Sequence, residues 1–371
     1  MGAYLYGKEK RVIRYFRHSA KFRPFFFLSI WSDGSVETEL RGAGFPFLNR
    51  YVGIFSKAHT GWTLYTLLRA PLTALSLLRA YRRHGCRGVL VADIGTLGLL
   101  WPGVVLLRLL WRAPVTLYVG DMPQATRRKR LLGWLVTQLR APVIAVSDAI
   151  RRRFLEFGIP AARIAVVHNG IDVQAQAPSA PLDFRAMQGW PAGDTVFGFV
   201  GQVTAGKGVD VFVAAAERLL REGVPARFVV IGRSEGDAAL RERLVAHQRA
   251  WPQHFALCGD LRPIEPAYAG LDVLVVPSLR EPLGNVVLEG MAAGRPVIGS
   301  ATGGIPELIV DGVTGLLVPP GDADALAAAM RRLARDAGLR ATLGDAGRRR
   351  IAAAFDVRKL VPRIDAAIAL R

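Results

Sequence analysis

The sequence predicts an α/β protein built from two doubly wound parallel-sheet domains. Three observations carry this. The chain has 371 residues, too many for one ordinary domain and suited to two of roughly 150–200 residues. Apolar residues make up 51% of it, so each domain has a core to bury and global disorder is excluded. From Thr195 onward, short β-branched runs alternate with helix-length stretches, as in parallel strands buried on both faces with crossover helices between them.

The elements follow in order. In the first half, apolar runs predict strands over 25–30, 89–92, 115–119, 143–146 and 164–167, with helices over 62–83, 103–111, 127–139 and 148–157. Pro71 must kink the first of these helices. A polar stretch rich in Ala, Pro and Gln, 172–181, reads as the linker. In the second half, strands are expected at 196–200, 226–231, 273–276, 296–299 and 316–318, with helices at 209–221, 238–250 and 286–293. Helices over 323–336 and 339–354 precede a final amphipathic piece, 357–370. The domains are therefore expected at 1–175 and 176–355, with 356–371 packing back on the first. One feature breaks the pattern. A doubly wound domain opens with a strand and a glycine-rich turn, but here Met1-Gly2-Ala3-Tyr4-Leu5-Tyr6-Gly7 runs straight into a basic helical segment. The first strand is expected to be missing or severely shortened.

Charge is distributed unevenly. Residues 1–172 hold 26 Lys+Arg against 9 Asp+Glu, whereas residues 173–371 hold 23 against 21. Nearly all of the net +19 lies in the first half, which argues for an anionic partner there. Arg82-Arg83, Arg127-Arg128-Lys129-Arg130 and Arg151-Arg152-Arg153 lie on or beside helices that also carry Leu, Trp and Tyr. A basic, apolar surface of this kind suits anionic lipid headgroups, so peripheral attachment to the inner face of the cell membrane is expected. Nucleic acid is the competing use of the charge, but no motif for it is present. The two cysteines, Cys86 and Cys258, fit no metal or redox spacing, exclude a disulfide framework and suit a reducing cytoplasm. The apolar run after Pro24 meets Asp33 too soon for a secretory signal. The longest uncharged stretch, 94–107 with Pro102 inside it, is shorter than the ~20 residues a bilayer span needs.

Two segments carry chemistry. Phe197-Gly-Phe-Val-Gly201-Gln202 leads into a loop with Gly206, Lys207 and Gly208 and then a helix. Backbone amides in such a loop bind phosphate oxygens, and Lys207 adds a compact positive charge. Taken alone it is equally a tight βα turn with a solvated lysine. The second segment, Pro277-Ser-Leu-Arg-Glu281-Pro-Leu283-Gly284-Asn285-Val286-Val-Leu-Glu289, leaves a strand, holds Glu281 in a short loop and enters a helix for which Asn285 is the expected N-cap. A helix N-terminus favours a diphosphate, and carboxylates beside it accept sugar hydroxyls. The plainer alternative makes Glu281 a surface acid and Glu289 a complement to the helix dipole.

The order of these pieces resembles family 4 of the retaining glycosyltransferases, of GT-B architecture with two facing Rossmann-like domains. The resemblance rests on Gly201…Lys207-Gly208, Val275-Val276-Pro277-Ser278, Glu281-x7-Glu289, Gly303-Gly304-Ile305-Pro306-Glu307 and Asp311-Gly312-x-x-Gly315. Val146-Ser147-Asp148-Ala149-Ile150 and His168-Asn169-Gly170-Ile171-Asp172 are similar to the family's domain-junction signatures. It is strong over about 140–320 and weak before that, and several ordered motifs are far more specific than one.

The resemblance implies roles. Glu281 would meet the donor sugar and Glu289 the ribose, while Lys207 and the amides of Gly284, Asn285 and Val286 would neutralise the leaving diphosphate. Gly201, Gln202, Gly232 and Leu283 complete the implied donor site. No metal or cofactor is implied, and no His/Cys cluster is present. Two positions depart from the family. Gln202 stands where an arginine is usual, and Tyr118-Val-Gly-Asp121 stands where a histidine is usual, so Asp121 takes that catalytic place or the place has no counterpart. His59 is the one other histidine in a suitable polar loop, and His168 reads as structural. The implied activity is hexose transfer from a UDP- or GDP-sugar to a glycan or lipid-linked acceptor in surface polysaccharide biosynthesis. A non-catalytic nucleotide-sugar-binding or scaffold subunit is the alternative. An NAD enzyme is disfavoured by the lack of Gly-x-Gly-x-x-Gly.

Overall fold

A computed structural model describes residues 7–28, 34–49, 61–123, 126–174, 180–234 and 237–368. The chain divides into two compact units, Met1–Asn169 with Val357–Arg371, and Gly170–Asp356. In chain order the first contains α1 (Gly7–His18), β1 (Phe26–Leu28), α2 (Ser35–Gly42), β2 (Phe47–Asn49), α3 (Gly61–Arg83), β3 (Val89–Val91), α4 (Ile94–Trp111), β4 (Val115–Val119), α5 (Arg127–Gln138), β5 (Val143–Ala145), α6 (Asp148–Glu156) and β6 (Ile164–Val166). Strands β3-β4-β5-β6 form one parallel sheet in that order, and β1-β2 form a separate parallel pair. The central β4 and β5 are fully buried, whereas β1 is only half-buried along its length.

Two expectations for this unit are corrected. Helix α4 begins at Ile94, well before residue 103, because Asp93 caps it. The Asp93 carboxylate accepts from the Thr96 amide at 2.7 Å and from its hydroxyl at 2.8 Å. Pro102 sits inside the helix without ending it. Strand β2, a three-residue element, was not anticipated. The basic opening segment folds as α1, with Val12, Ile13 and Tyr15 buried. Arg11, only 5% exposed, donates to the Ala92 carbonyl at 3.0 Å and the Tyr118 carbonyl at 2.8 Å. Its guanidinium lies 4.4 Å from the centre of the Tyr118 ring, a cation–π contact. The Tyr15 hydroxyl donates to Asp365 at 2.5 Å, which ties α1 to a helix at the far end of the chain.

The second unit contains α7 (Phe184–Gln188), β7 (Thr195–Val200), α8 (Val209–Arg221), β8 (Ala226–Ile231), α9 (Ala238–Ala250), β9 (Phe255–Gly259), α10 (Glu265–Gly270), β10 (Val273–Val276), α11 (Asn285–Ala292), β11 (Val297–Ser300), α12 (Ile305–Leu308), β12 (Leu316–Val318), α13 (Ala323–Arg335) and α14 (Ala337–Ala354). The last helix, α15 (Val357–Ala367), belongs to the first unit and carries Asp365. The six strands of the second unit form one parallel sheet in the order β12-β11-β10-β7-β8-β9. Strand order reverses at β7, so the crevice outside the carboxyl ends of β7 and β10 is the topological switch point where such sheets bind ligands. The expected strands and helices of this half are present. Strand β9 and the short helices α7, α10 and α12 are additional. An aromatic core holds the sheet to α8: Phe212 packs edge-on to Phe228 at 6.1 Å, and Phe228 stacks on Phe197 at 5.9 Å.

Near the start of β7, Arg227 and Asp194 pair at 2.6 Å with side chains 11% and 12% exposed. Breaking such a pair strands a charge. Asp194→Ala is expected to cost ~3–5 kcal/mol in urea unfolding, with Arg227→Met on top restoring most of it. Burial and the Arg227 charge hold His254 below the ordinary histidine range while Asp194 opposes them. His254 should therefore titrate lower still in Asp194→Ala, as read by imidazole NMR.

Candidate functional site

The loops at the switch point approach one another more closely than side chains permit. Gly201 (φ 144°) closes β7 and Gly232 (φ 143°) closes β8. A Cβ on Gly232 would lie 1.7 Å from the Gly201 carbonyl oxygen, and the Gly201 amide donates to Ile231 at 2.9 Å. After a 3-10 turn over Ala205–Lys207, Gly208 adopts φ 71° and starts α8. A Cβ on Gly208 would lie 1.9 Å from the Pro277 carbonyl oxygen, and the Leu279 amide donates to Gly206 at 3.1 Å. The β7–α8 loop thus packs directly on the β10–α11 loop. On the other side, a Cβ on Gly303 would lie 1.7 Å from the Glu281 carbonyl oxygen, which also accepts from the Gly304 amide at 3.1 Å.

Glu281 sits at the centre of this packing and is 8% exposed. It is therefore not a surface acid. Its carboxylate accepts from Lys207 Nζ at 2.6 Å and from the Ser278 hydroxyl at 3.2 Å. Glu281 takes one of the three donors of the Lys207 ammonium, and the Lys207 side chain keeps 32% exposure. The result is a lysine charge held in one direction at a sheet's carboxyl edge. Helix α11 starts beside it. Gly284 (φ 106°), rather than Asn285, takes the cap position, and no side chain caps the helix. The positive φ that the turn requires suits glycine, which moves Asn285 into the first helical turn. The Val287 and Leu288 amides donate to the Gly284 carbonyl at 3.0 and 3.3 Å. The first-turn amides of Asn285 and Val286 precede that ladder at the positive end of the helix dipole. Leu283 is buried beneath them.

Glu289 lies in the second turn of α11 and accepts from the Tyr268 hydroxyl at 2.7 Å. Burial first, then the Glu289 charge, raises Tyr268 well above the usual tyrosine range, so the phenol is a permanent donor. Tyr268 is the site residue that the sequence does not reveal, because it lies on α10, outside both glycine-rich segments. Lys207 and Glu281 are thus in contact, and Gly201, Gly232, Gly284, Asn285 and Val286 lie on the loops around them. Gln202 follows Gly201 and is half-buried. Asp121 lies elsewhere, in the first unit just past β4, and half-buried. His168 follows β6, while His59 lies outside the described residues. Among the described residues, no group of three or more His, Cys, Asp or Glu could hold a metal ion.

Two Rossmann-like units, the second with glycine-rich loops stacked at its switch point, define an α/β protein of the GT-B fold class. Residues 194–336 match the family described as glycosyl transferases group 1, and residues 38–175 match glycosyltransferase family 4. The chain belongs to the family 4, group 1 glycosyltransferases. It is similar to a D-inositol 3-phosphate glycosyltransferase of Kribbella flavida, 33% identical over 51% of this chain and 47% of that one. Similarity to the same-named protein of Xylanimonas cellulosilytica is 33% over 62% and 57%. The chain thus spans about half the length of the curated relatives it matches. The Anabaena protein HepE, solved with UDP and glucose, shares its fold at TM-score 0.81 and 22% identity, over 98% of this chain and 96% of that one.

The Lys207–Glu281 contact gives a direct test. A double-mutant cycle with Lys207→Met and Glu281→Gln is expected to yield ~1–3 kcal/mol of coupling in thermal or urea unfolding. Additive single effects would mean that the pair is not formed in solution.

Proposed function

We propose that this chain is a retaining, metal-independent glycosyltransferase moving a hexose from a UDP- or GDP-sugar to a glycan or lipid-linked acceptor in surface polysaccharide biosynthesis. The observation that supports it most is the half-buried Lys207–Glu281 pair beside the N-terminus of α11. Negative charge grows on the diphosphate as the anomeric bond breaks. Lys207 and the Asn285 and Val286 amides are preorganised to meet that charge, and such dipoles stabilise the transition state more than the ground state. Glu281, held by Lys207 and Ser278, accepts from the sugar hydroxyls. Glu289, oriented by Tyr268, accepts from the ribose. The acceptor oxygen forms its bond to the anomeric carbon from the face the diphosphate leaves, and its proton passes to the departing phosphate oxygen. Asp121 is the residue of the first unit assigned to the transfer.

The acceptor is read from the first unit. Its excess of Lys and Arg favours an anionic acceptor, in keeping with the inositol phosphate in the relatives' names. On α3, α4 and α5, Leu72, Leu109, Leu110, Leu131 and Trp134 are exposed, Leu109 by 71%. Arg82, Arg83 and Arg130 accompany them on α3 and α5; the side chains of Arg127, Arg128 and Lys129 lie outside the described residues. Apolar and basic side chains so combined suit peripheral attachment to the inner face of the cell membrane. No helix among the described residues is long and apolar enough to cross a membrane.

Purified protein is expected to release nucleoside diphosphate from a UDP- or GDP-sugar, with Glu281→Ala and Lys207→Ala each ~10²–10³-fold slower. Donor binding without turnover, whatever acceptor is supplied, would instead indicate the non-catalytic subunit. At low salt the protein should sediment with anionic vesicles and not with neutral ones. Equal sedimentation would remove the membrane assignment.

A further inference from the structure

We propose that Arg280, on the loop after β10, is a specificity-determining residue that takes a phosphate group of the acceptor, given the reading of this edge of the second unit as a donor site. At the carboxyl edge of the six-stranded sheet, the loops after β7, β8, β9 and β10 carry one basic residue each, Lys207, Arg233, Arg262 and Arg280. The loops after β11 and β12 carry none. Lys207 holds Glu281 at 2.6 Å. Arg233 and Arg262 share Asp260 at 3.3 and 3.1 Å. The other described carboxylates of these loops are engaged as well, since Asp237 and Asp322 cap α9 and α13. Arg280 is exposed and makes no hydrogen bond or ion pair with any described residue.

A lone surface arginine is ordinarily a solvated one, but the backbone under Arg280 is fixed on both sides. The Leu279 amide donates to the Gly206 carbonyl at 3.1 Å, and the Leu279 carbonyl accepts from the Thr302 hydroxyl at 3.3 Å. On the other side, the Glu281 carbonyl accepts from the Gly304 amide at 3.1 Å. Residues 279 and 281 are thus tied to the loops after β7 and β11, and Arg280 is carried between them. A guanidinium on so firm a base is placed beside the proposed reacting centre at little cost in backbone order.

Its neighbour sets the direction. Glu281 is 8% exposed and turns inward to Lys207, the proposed partner of the donor diphosphate, whereas Arg280 stands in solvent and does not pair with Glu281. The loop therefore presents a carboxylate inward, for the donor sugar, and a cation outward. The group that reaches a bound donor from the solvent side is the acceptor. The cation also selects the chemistry. A guanidinium offers a planar fork of donors that engages two oxygens of one anion. A phosphate monoester carries more charge than a carboxylate at neutral pH, so it gains more from the same fork.

The test loads the full chain with UDP or GDP, whichever binds, and titrates inorganic phosphate at constant ionic strength. The Nε–H NMR signal of Arg280, assigned by its loss in Arg280→Ala, is expected to shift with phosphate while the nucleotide stays bound. Calorimetry should show phosphate binding weakened ~10-fold in Arg280→Ala, and ~3-fold in Arg280→Lys, which keeps the charge without the fork. Equal phosphate affinity in the wild type and Arg280→Ala would overturn the proposal. So would a ~10-fold loss of nucleotide affinity in that variant with phosphate binding unchanged, since Arg280 would then serve the donor. Acetate bound as tightly as phosphate would remove the phosphate assignment. If neither nucleotide binds, the donor reading falls first, before any phosphate is added, and the role of Arg280 falls with it.

Discussion

The candidate donor site depends on main chain touching main chain. At Gly201–Gly232, Gly208–Pro277 and Gly303–Glu281, a carbonyl oxygen occupies space that any Cβ would need. These contacts stack the loops after β7, β8, β10 and β11 against one another, and the Lys207–Glu281 pair is set where three of them meet. A flexible lysine is given a direction by the backbone it lies on, and the carboxylate that holds it is itself fixed from both sides. Preorganisation of this sort lets a charge act on a transition state without first being collected from solvent.

The two units differ in charge and in order. The second is nearly neutral, rich in buried aromatic rings and closed into one six-stranded sheet. The first is strongly basic, splits its strands between two sheets and exposes leucine and tryptophan on its helices. A neutral unit suits recognition of a donor by a few placed groups. The proposed function gives the basic, partly apolar unit an anionic acceptor or surface.

The second unit was legible because its strands are buried on both faces, so that runs such as 273–276 stand out as unbroken aliphatic segments. Its helices 209–221 and 238–250 carry clear periodicity. Strand β9 was missed because Phe255–Gly259 contains Cys and Gly and is half-exposed at its end, a weak signature for an edge strand. The start of α4 was hidden by glycines and Pro102, which mimic a breaker, while the signal that sets it is the single cap Asp93. At the site, Lys207 and Glu281 could be named from their segments. Their contact and the Tyr268–Glu289 bond could not, because a hydrogen bond between residues 74 or 21 positions apart leaves no local pattern. The misassigned cap at Asn285 has the same root: a side-chain preference was read where a backbone angle decides.

Arg11 and Gly120 illustrate a constraint of another kind. A Cβ on Gly120 would lie 1.3 Å from the Arg11 guanidinium, the far end of a long side chain, so a larger residue at 120 fits once that guanidinium swings aside. A side chain acquired at 120 redirects the residue at 11. That step would remove the guanidinium from the Ala92 and Tyr118 carbonyls at the ends of β3 and β4. The two positions are therefore coupled: a side chain at 120 costs what the residue at 11 gives up in moving, and costs less where that residue is shorter.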